Sequence, residues 1–177
     1  MKKIIITHGL ISGFIIILSI VVGLSLAEGE ESMQFLEWLG YLIMILALSM
    51  IFIGIKRYRD RELGGVIRFM TALGVGLGIS LVAGIIYVVM WEINLSITDY
   101  AFINDYTESV IAQKKSDGVS GEALEELIVE MEKTKQQYAK PAFRVMITFL
   151  EIFPVGLLIS LLSAAILRNS NIMPLKQ

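Results

Sequence analysis

The chain has 177 residues, 55% of them hydrophobic and 18% charged, where a soluble domain carries about 45–50% and about 25%. With a mean hydropathy of +0.72, the surplus suits a lipid solvent, and outside the apolar runs there is no material for a second core. Having no cysteine and one histidine, the chain excludes a disulfide framework, a thiolate nucleophile, a cysteine-bearing zinc site and a multi-histidine metal site. No cofactor is expected.

Four apolar runs predict four membrane helices, at about 4–27, 38–55, 69–91 and 143–167 of a single membrane domain covering 1–177. The first, Ile4 to Ala27, rises about 36 Å as a helix, enough to cross a hydrocarbon core of about 30 Å with some tilt. Its Lys2-Lys3 start and its Ser25-Leu26-Ala27 end also suit a cleaved secretory signal. Its apolar part is longer than the 7–15 residues of a signal core, so a retained helix is expected. The second run, Trp38 to Ile55, is short for a span, the third runs from Phe69 to Trp91, and the fourth, Phe143 to Leu167, carries Arg144 and Glu151. None alternates polar with apolar, which sets a transmembrane β-barrel aside and leaves an all-α polytopic protein.

Charge orients the helices. Lys2 and Lys3, then Lys56, Arg57, Arg59, Arg61 and Arg68, then Arg168 and Lys176 occupy alternate connections, while Glu28 to Glu37 holds four Glu and no Lys or Arg. The positive-inside rule therefore predicts a multi-pass protein of the bacterial inner membrane with both termini cytoplasmic. Trp38 and Trp91 then fall near the outer boundary, where amphipathic rings prefer to sit. The basic stretch Lys56 to Arg61 reads as a loop facing lipid headgroups, and it is too short to bind nucleic acid.

Between the third and fourth spans the chain turns acidic, and residues of about 99–140 predict an extracytoplasmic amphipathic helical hairpin. Phe102, Ile103, Tyr106, Val110 and Ile111 recur at helical spacing, as do Leu124, Leu127, Ile128, Met131 and Tyr138. Gly118 is the expected stop of the first helix and Ser120 the expected N-cap of the second, with Glu122 in its first turn. Pro141 suits the start of the fourth span. Asp117-Gly118 lacks the ligand pattern of a calcium loop, so the acidic surface reads as a solvated face.

The residues of greatest chemical interest lie in or beside the spans. A carboxylate at Glu151 needs a partner, water or a proton, since a charge at mid-bilayer costs about 2.5–3.5 kcal/mol on insertion scales. Arg144 and Thr148 share its helix face, and Glu92 ends the third span near the depth at which Arg144 enters. Pro154 frees the carbonyl of Leu150, an oxygen beside Glu151. Glu92, Arg144, Thr148, Glu151 and Pro154 thus form the candidate intramembrane polar cluster, read either as a register-fixing structural group or as an ion or proton site. His8 and Ser12 lie four apart but lack free N–H donors for an oxyanion, so His8 is expected to bond a backbone carbonyl or a headgroup. Gly74-x-Gly76-x-Gly78 follows no strand and is no nucleotide loop. Together with Gly9, Gly13, Ala72, Ser80 and Gly84 it predicts close helix packing, within the bundle or against a partner.

Three runs resemble a known family: Phe52-Ile53-Gly54-Ile55-Lys56-Arg57-Tyr58-Arg59-Asp60, Ile86 to Glu92, and Thr148 to Leu157. As a set they are similar to the bacterial membrane proteins grouped as domain of unknown function 4199. The resemblance implies a four-helix inner-membrane protein with an acidic, Tyr-bearing outer segment, typical of Bacteroidota, and implies no reaction. The sequence therefore predicts a non-enzymatic structural or interaction protein of the cell envelope. Its expected partners are the lipid bilayer and, through small-residue helix faces, a second copy or another membrane protein, with no nucleic acid. The alternative is a small carrier or ion- or proton-coupled transporter built on Glu151.

Overall fold

The computed structural model describes residues 1–26 and 30–174, with side chains described for 1–23 and 38–174. Seven helices follow in order among these residues: α1 Lys2–Leu26, α2 Glu30–Leu48, α3 Met50–Glu62, α4 Phe69–Ile97, α5 Ala101–Ser116, α6 Glu122–Tyr138 and α7 Pro141–Leu167. No strand occurs among the described residues. Four stretches are long and apolar enough to cross a membrane: Lys2–Gly23, Trp38–Glu62, Phe69–Ile97 and Pro141–Leu167. The expected first-span end at Ala27 and Lys176 lie outside the described residues, and the connection expected over 28–37 is helical from Glu30.

The second span is longer than its uncharged core and contains a local irregularity. At Ser49 the hydroxyl donates back to the Leu46 carbonyl at 2.6 Å, and its own carbonyl receives both Phe52 N–H (3.0 Å) and Ile53 N–H (3.4 Å). Such back-bonding bends a helix without ending it, so α2 and α3 cross as one 25-residue unit. The basic stretch expected as a headgroup loop is instead the last turns of α3, and Arg59 there has no exposed surface.

α4 is the axis of the bundle, packed along α1 and α7 and against α3. Glycine makes that closeness feasible. A Cβ on Gly9 or Gly13 of α1 would lie 2.6 or 2.8 Å from Val82 or Ile86 of α4. A Cβ on Gly76 would meet Ser160 at 2.8 Å, and one on Gly156 would meet Ser80 Oγ at 2.6 Å. Backbones approaching this closely gain dispersion contacts that lipid tails do not match. Ser80 and Ser160 return their hydroxyls to Gly76 and Gly156 in their own helices and lie 3.3 Å apart across the seam. The helices whose small residues left two packing options open therefore spend most of them inside the chain; Gly40 and Gly74 have no neighbour within 4 Å of an added Cβ.

At one end of the bundle the N-terminal ammonium meets Glu62 at 2.8 Å. At the same end Arg59 donates to the carbonyls of Ile172 (3.0 Å) and Met173 (2.6 Å) and, more weakly, Leu167 (3.5 Å), with Asp60 on its Nε at 2.7 Å. Leu167 is the last residue of α7, so the cation beside its carbonyl complements the helix dipole, while the shorter bonds hold the segment that follows. At the opposite end α5 and α6 pack on each other, α5 touching α2 and α6 touching α7. α5 ends in a Schellman turn: Gly118 at φ +88° sends its N–H to Lys115 and Val119 sends its N–H to Lys114, both at 3.0 Å. α6 starts one residue later than its expected Ser cap, on Gly121 at φ +62°, with no side-chain cap bond. Its apolar stripe is half-buried, and Ile128 is exposed.

A candidate polar site where four helices meet

Arg144 sits in the first turn of α7, started by Pro141 at a position where the missing N–H costs nothing. Its guanidinium is buried and grips Glu92 of α4 with two parallel bonds, Nε to Oε1 and Nη2 to Oε2, each 2.7 Å. The two-pronged geometry is the strong, directional form of this ion pair. The remaining nitrogen, Nη1, donates to the Tyr138 carbonyl at 3.0 Å, so one cation also closes the C-terminus of α6.

Aromatic rings flank the guanidinium. The Tyr100 ring lies 4.8 Å from the guanidinium carbon and the Tyr138 ring 5.8 Å, both within cation–π range. Trp91 Nε1 donates to the Tyr138 hydroxyl at 2.9 Å, and its ring meets Phe102 edge-on at 5.0 Å. Burial pushes the Tyr138 phenol up from its ordinary value, while the Trp91 bond and the Arg144 charge pull it down. Trp91, expected at the outer boundary, is thus covered by α5 and α6, whereas Trp38 is 78% exposed.

Tyr100 reaches Arg144 through strained backbone. Asp99 and Tyr100 have φ of +50° and +58°, a region that costs a residue with a Cβ about 1–2 kcal/mol. The Tyr100 N–H returns to the Leu95 carbonyl at 2.8 Å, reversing the chain in two residues. The ring stack and the reversal hold that conformation.

Glu151 has a different neighbour. The Tyr87 hydroxyl of α4 donates to Glu151 Oε2 at 3.2 Å, and Tyr41 of α2 and Tyr138 of α6 lie within electrostatic reach of Tyr87. Tyr87 is buried and Glu151 is exposed. Thr148, between Arg144 and Glu151 on α7, is buried, and Pro154 is exposed in a helix that continues through it. Arg144 and Glu92 are therefore brought together, and Glu151 lies two turns deeper with Tyr87. The sequence reading missed Tyr87, Tyr100 and the carbonyl of Tyr138; only the aromatic richness of the segment hinted at them.

The remaining polar candidates have backbone partners. His8 Nδ1 lies 2.8 Å from the Ile4 carbonyl, and Ser12 donates to the Ala47 carbonyl of α2 at 2.9 Å, tying α1 to α2. Among the described residues no group of three or more metal-ligating side chains converges.

A family described as "Protein of unknown function (DUF4199)" matches residues 7–169. The chain belongs to this family. The match takes in most of the first span, the whole of the other three, and every residue of the polar site. No curated protein and no solved structure matches.

Proposed function

We propose that this member of the family is a non-enzymatic integral membrane protein of the bacterial inner membrane, acting through contacts of its helices and of its α5–α6 cap. Both termini are cytoplasmic in this reading, and the cap lies outside. The close-packed interior carries it. α4 is in van der Waals contact with α1 and α7 through glycines along its length, and the carboxylate at its outer end, Glu92, is taken up by Arg144. The orientation is supported by Lys2, Lys3, Arg57, Arg61, Arg68 and Arg168, all exposed and all at the end that holds the termini.

A carrier would need a wet route to Glu151. The cavities described are an open hollow on α6 lined by Glu122, Glu126 and Lys133, and an apolar groove between α4 and α7 lined by Val88, Val89, Val145 and Phe149; neither includes Glu151. Liposomes holding the purified chain should pass protons no faster than empty ones under an imposed pH gradient. A flux that Glu151→Gln abolishes overturns the reading in favour of transport. Orientation is tested separately with a membrane-impermeant thiol reagent on intact cells, which should label Ser120→Cys and spare Arg61→Cys.

A further inference from the structure

Charge does not balance at the end of the bundle that holds the termini. Among the described residues that end has two acids, and both are engaged: Asp60 by Lys56 and Arg59, and Glu62 by the N-terminal ammonium. Arg59 is spent as well, since its other nitrogens donate to backbone carbonyls. Lys2, Lys3, Arg57, Arg61, Arg68 and Arg168 stay exposed, and their side chains make no ion pair or hydrogen bond among the described residues.

The connection between α3 and α4 concentrates this surplus. Arg57 and Arg61 lie four apart on one face of α3, and Arg68 opens α4. Gly64 and Gly65, at φ +64° and +94°, turn the chain between them, and the Gly65 N–H returns to the Arg59 carbonyl at 2.9 Å. Ile67 is buried and pins the connection to the bundle, whereas Leu63, Val66 and Met70 are 40%, 63% and 73% exposed. From Arg61 to Met70, exposed apolar side chains therefore interleave with unpaired arginines.

We propose that this connection binds the headgroup of an anionic phospholipid, with Arg61 and Arg68 on its phosphate and Leu63, Val66 and Met70 against its acyl chains. The interleaving selects the occupant. A nucleic acid or an acidic soluble protein would satisfy the arginines and leave three large apolar side chains in water. A phospholipid offers both chemistries, charge at the surface and hydrocarbon beneath it. Arginine suits the boundary, because its stem covers apolar surface while its head reaches the phosphates. The charge balance selects an anionic headgroup over a zwitterionic one: among the described residues no acid at this end is left to hold a choline or ethanolamine cation.

The inference goes beyond the interaction reading and rests only on the four spans. It is tested with the full-length chain in phosphatidylcholine liposomes. The chain has no cysteine, so Met70→Cys takes a single fluorophore beside the site, which lipids with brominated acyl chains quench on contact. Brominated phosphatidylglycerol should occupy the site at least about fivefold more readily than brominated phosphatidylcholine, the preference that about one basic contact confers. Arg61→Gln with Arg68→Gln should erase the preference at unchanged helix content, since both side chains are exposed. Lys114→Gln with Lys115→Gln, at the other end of the molecule, should keep it. Equal quenching by the two lipids overturns the inference, as does a preference that survives loss of both arginines or disappears with the two lysines. Replacing chloride by inorganic phosphate at equal ionic strength should leave the preference in place; if phosphate abolishes it, the site takes a free anion and the lipid is excluded. Equal quenching without proton flux removes the lipid site alone, whereas Glu151-dependent flux removes the interaction reading and leaves the lipid preference intact.

Discussion

Arg144 illustrates how one buried cation organises a junction of helices. Its nitrogens are divided between a carboxylate on α4 and a helix terminus on α6, and its faces between two tyrosine rings. Removing it strands Glu92 in a half-buried site and opens the end of α6 at once. Breaking a fully buried pair costs about 3–5 kcal/mol; because Glu92 keeps 27% of its side-chain surface, Arg144→Met should cost somewhat less. Adding Glu92→Gln should restore part of that loss, because no carboxylate then lacks a partner. Unfolding in detergent by the single and double variants measures the coupling, and strict additivity would deny the pair its role. Arg144→Met combined with Glu151→Gln should instead be near additive, since the two groups hold different partners two turns apart.

Among the elements, the seams of α4 make the sharpest distinctions between residues of the same type. Gly156→Ala places a Cβ 2.6 Å from Ser80 Oγ and 2.8 Å from Ser80 Cβ, so α7 must move away from α4, at about 1–3 kcal/mol for an overpacked core. Gly74→Ala meets nothing within 4 Å and should be neutral or stabilising by up to about 1 kcal/mol through helix propensity. A melting comparison of the two variants checks the seam; equal losses would show that α4 and α7 are not in close register. The turn between α4 and α5 offers the converse experiment. Asp99 holds φ +50° at the C′ position, where glycine is at ease, so Asp99→Gly should raise stability by about 0.5–1 kcal/mol. A loss on that substitution would mean that the Asp99 side chain is needed.

For the whole molecule, the two ends are held by two different arginines. At the end with the termini, Arg59 ties the segment after α7 to α3 by donating to Ile172 and Met173. Arg59→Met should release residues 168–174 while leaving the spans folded, because the guanidinium meets backbone carbonyls rather than core side chains. Protease added to the detergent-solubilised chain should then trim the C-terminus of the variant faster than that of the native chain. Equal trimming would show that the segment is held by something else.

The sequence by itself determined the number of spans, their order and the alternation of their ends, because hydrocarbon imposes its demand locally: a run of apolar residues long enough to cross is readable without any neighbour. The same locality made the Gly118 stop and the Pro141 start legible, as backbone preferences of single residues. Where preferences compete, tertiary contacts decided. The run Lys56 to Arg61 looked like a headgroup loop by charge, yet Arg59 is buried because the carbonyls of Ile172 and Met173, more than 100 residues away, supply acceptors that water would otherwise provide. Small residues marked helices that approach closely but not which ones, since Gly76 and Gly156 show their purpose only against Ser160 and Ser80. Glu92, Arg144 and Glu151 were conspicuous as charges within apolar runs, whereas the division into an Arg144–Glu92 pair and a Tyr87–Glu151 contact depends on how α4 is rotated against α7. That rotation is set by packing between distant segments, and no periodicity along one chain encodes it.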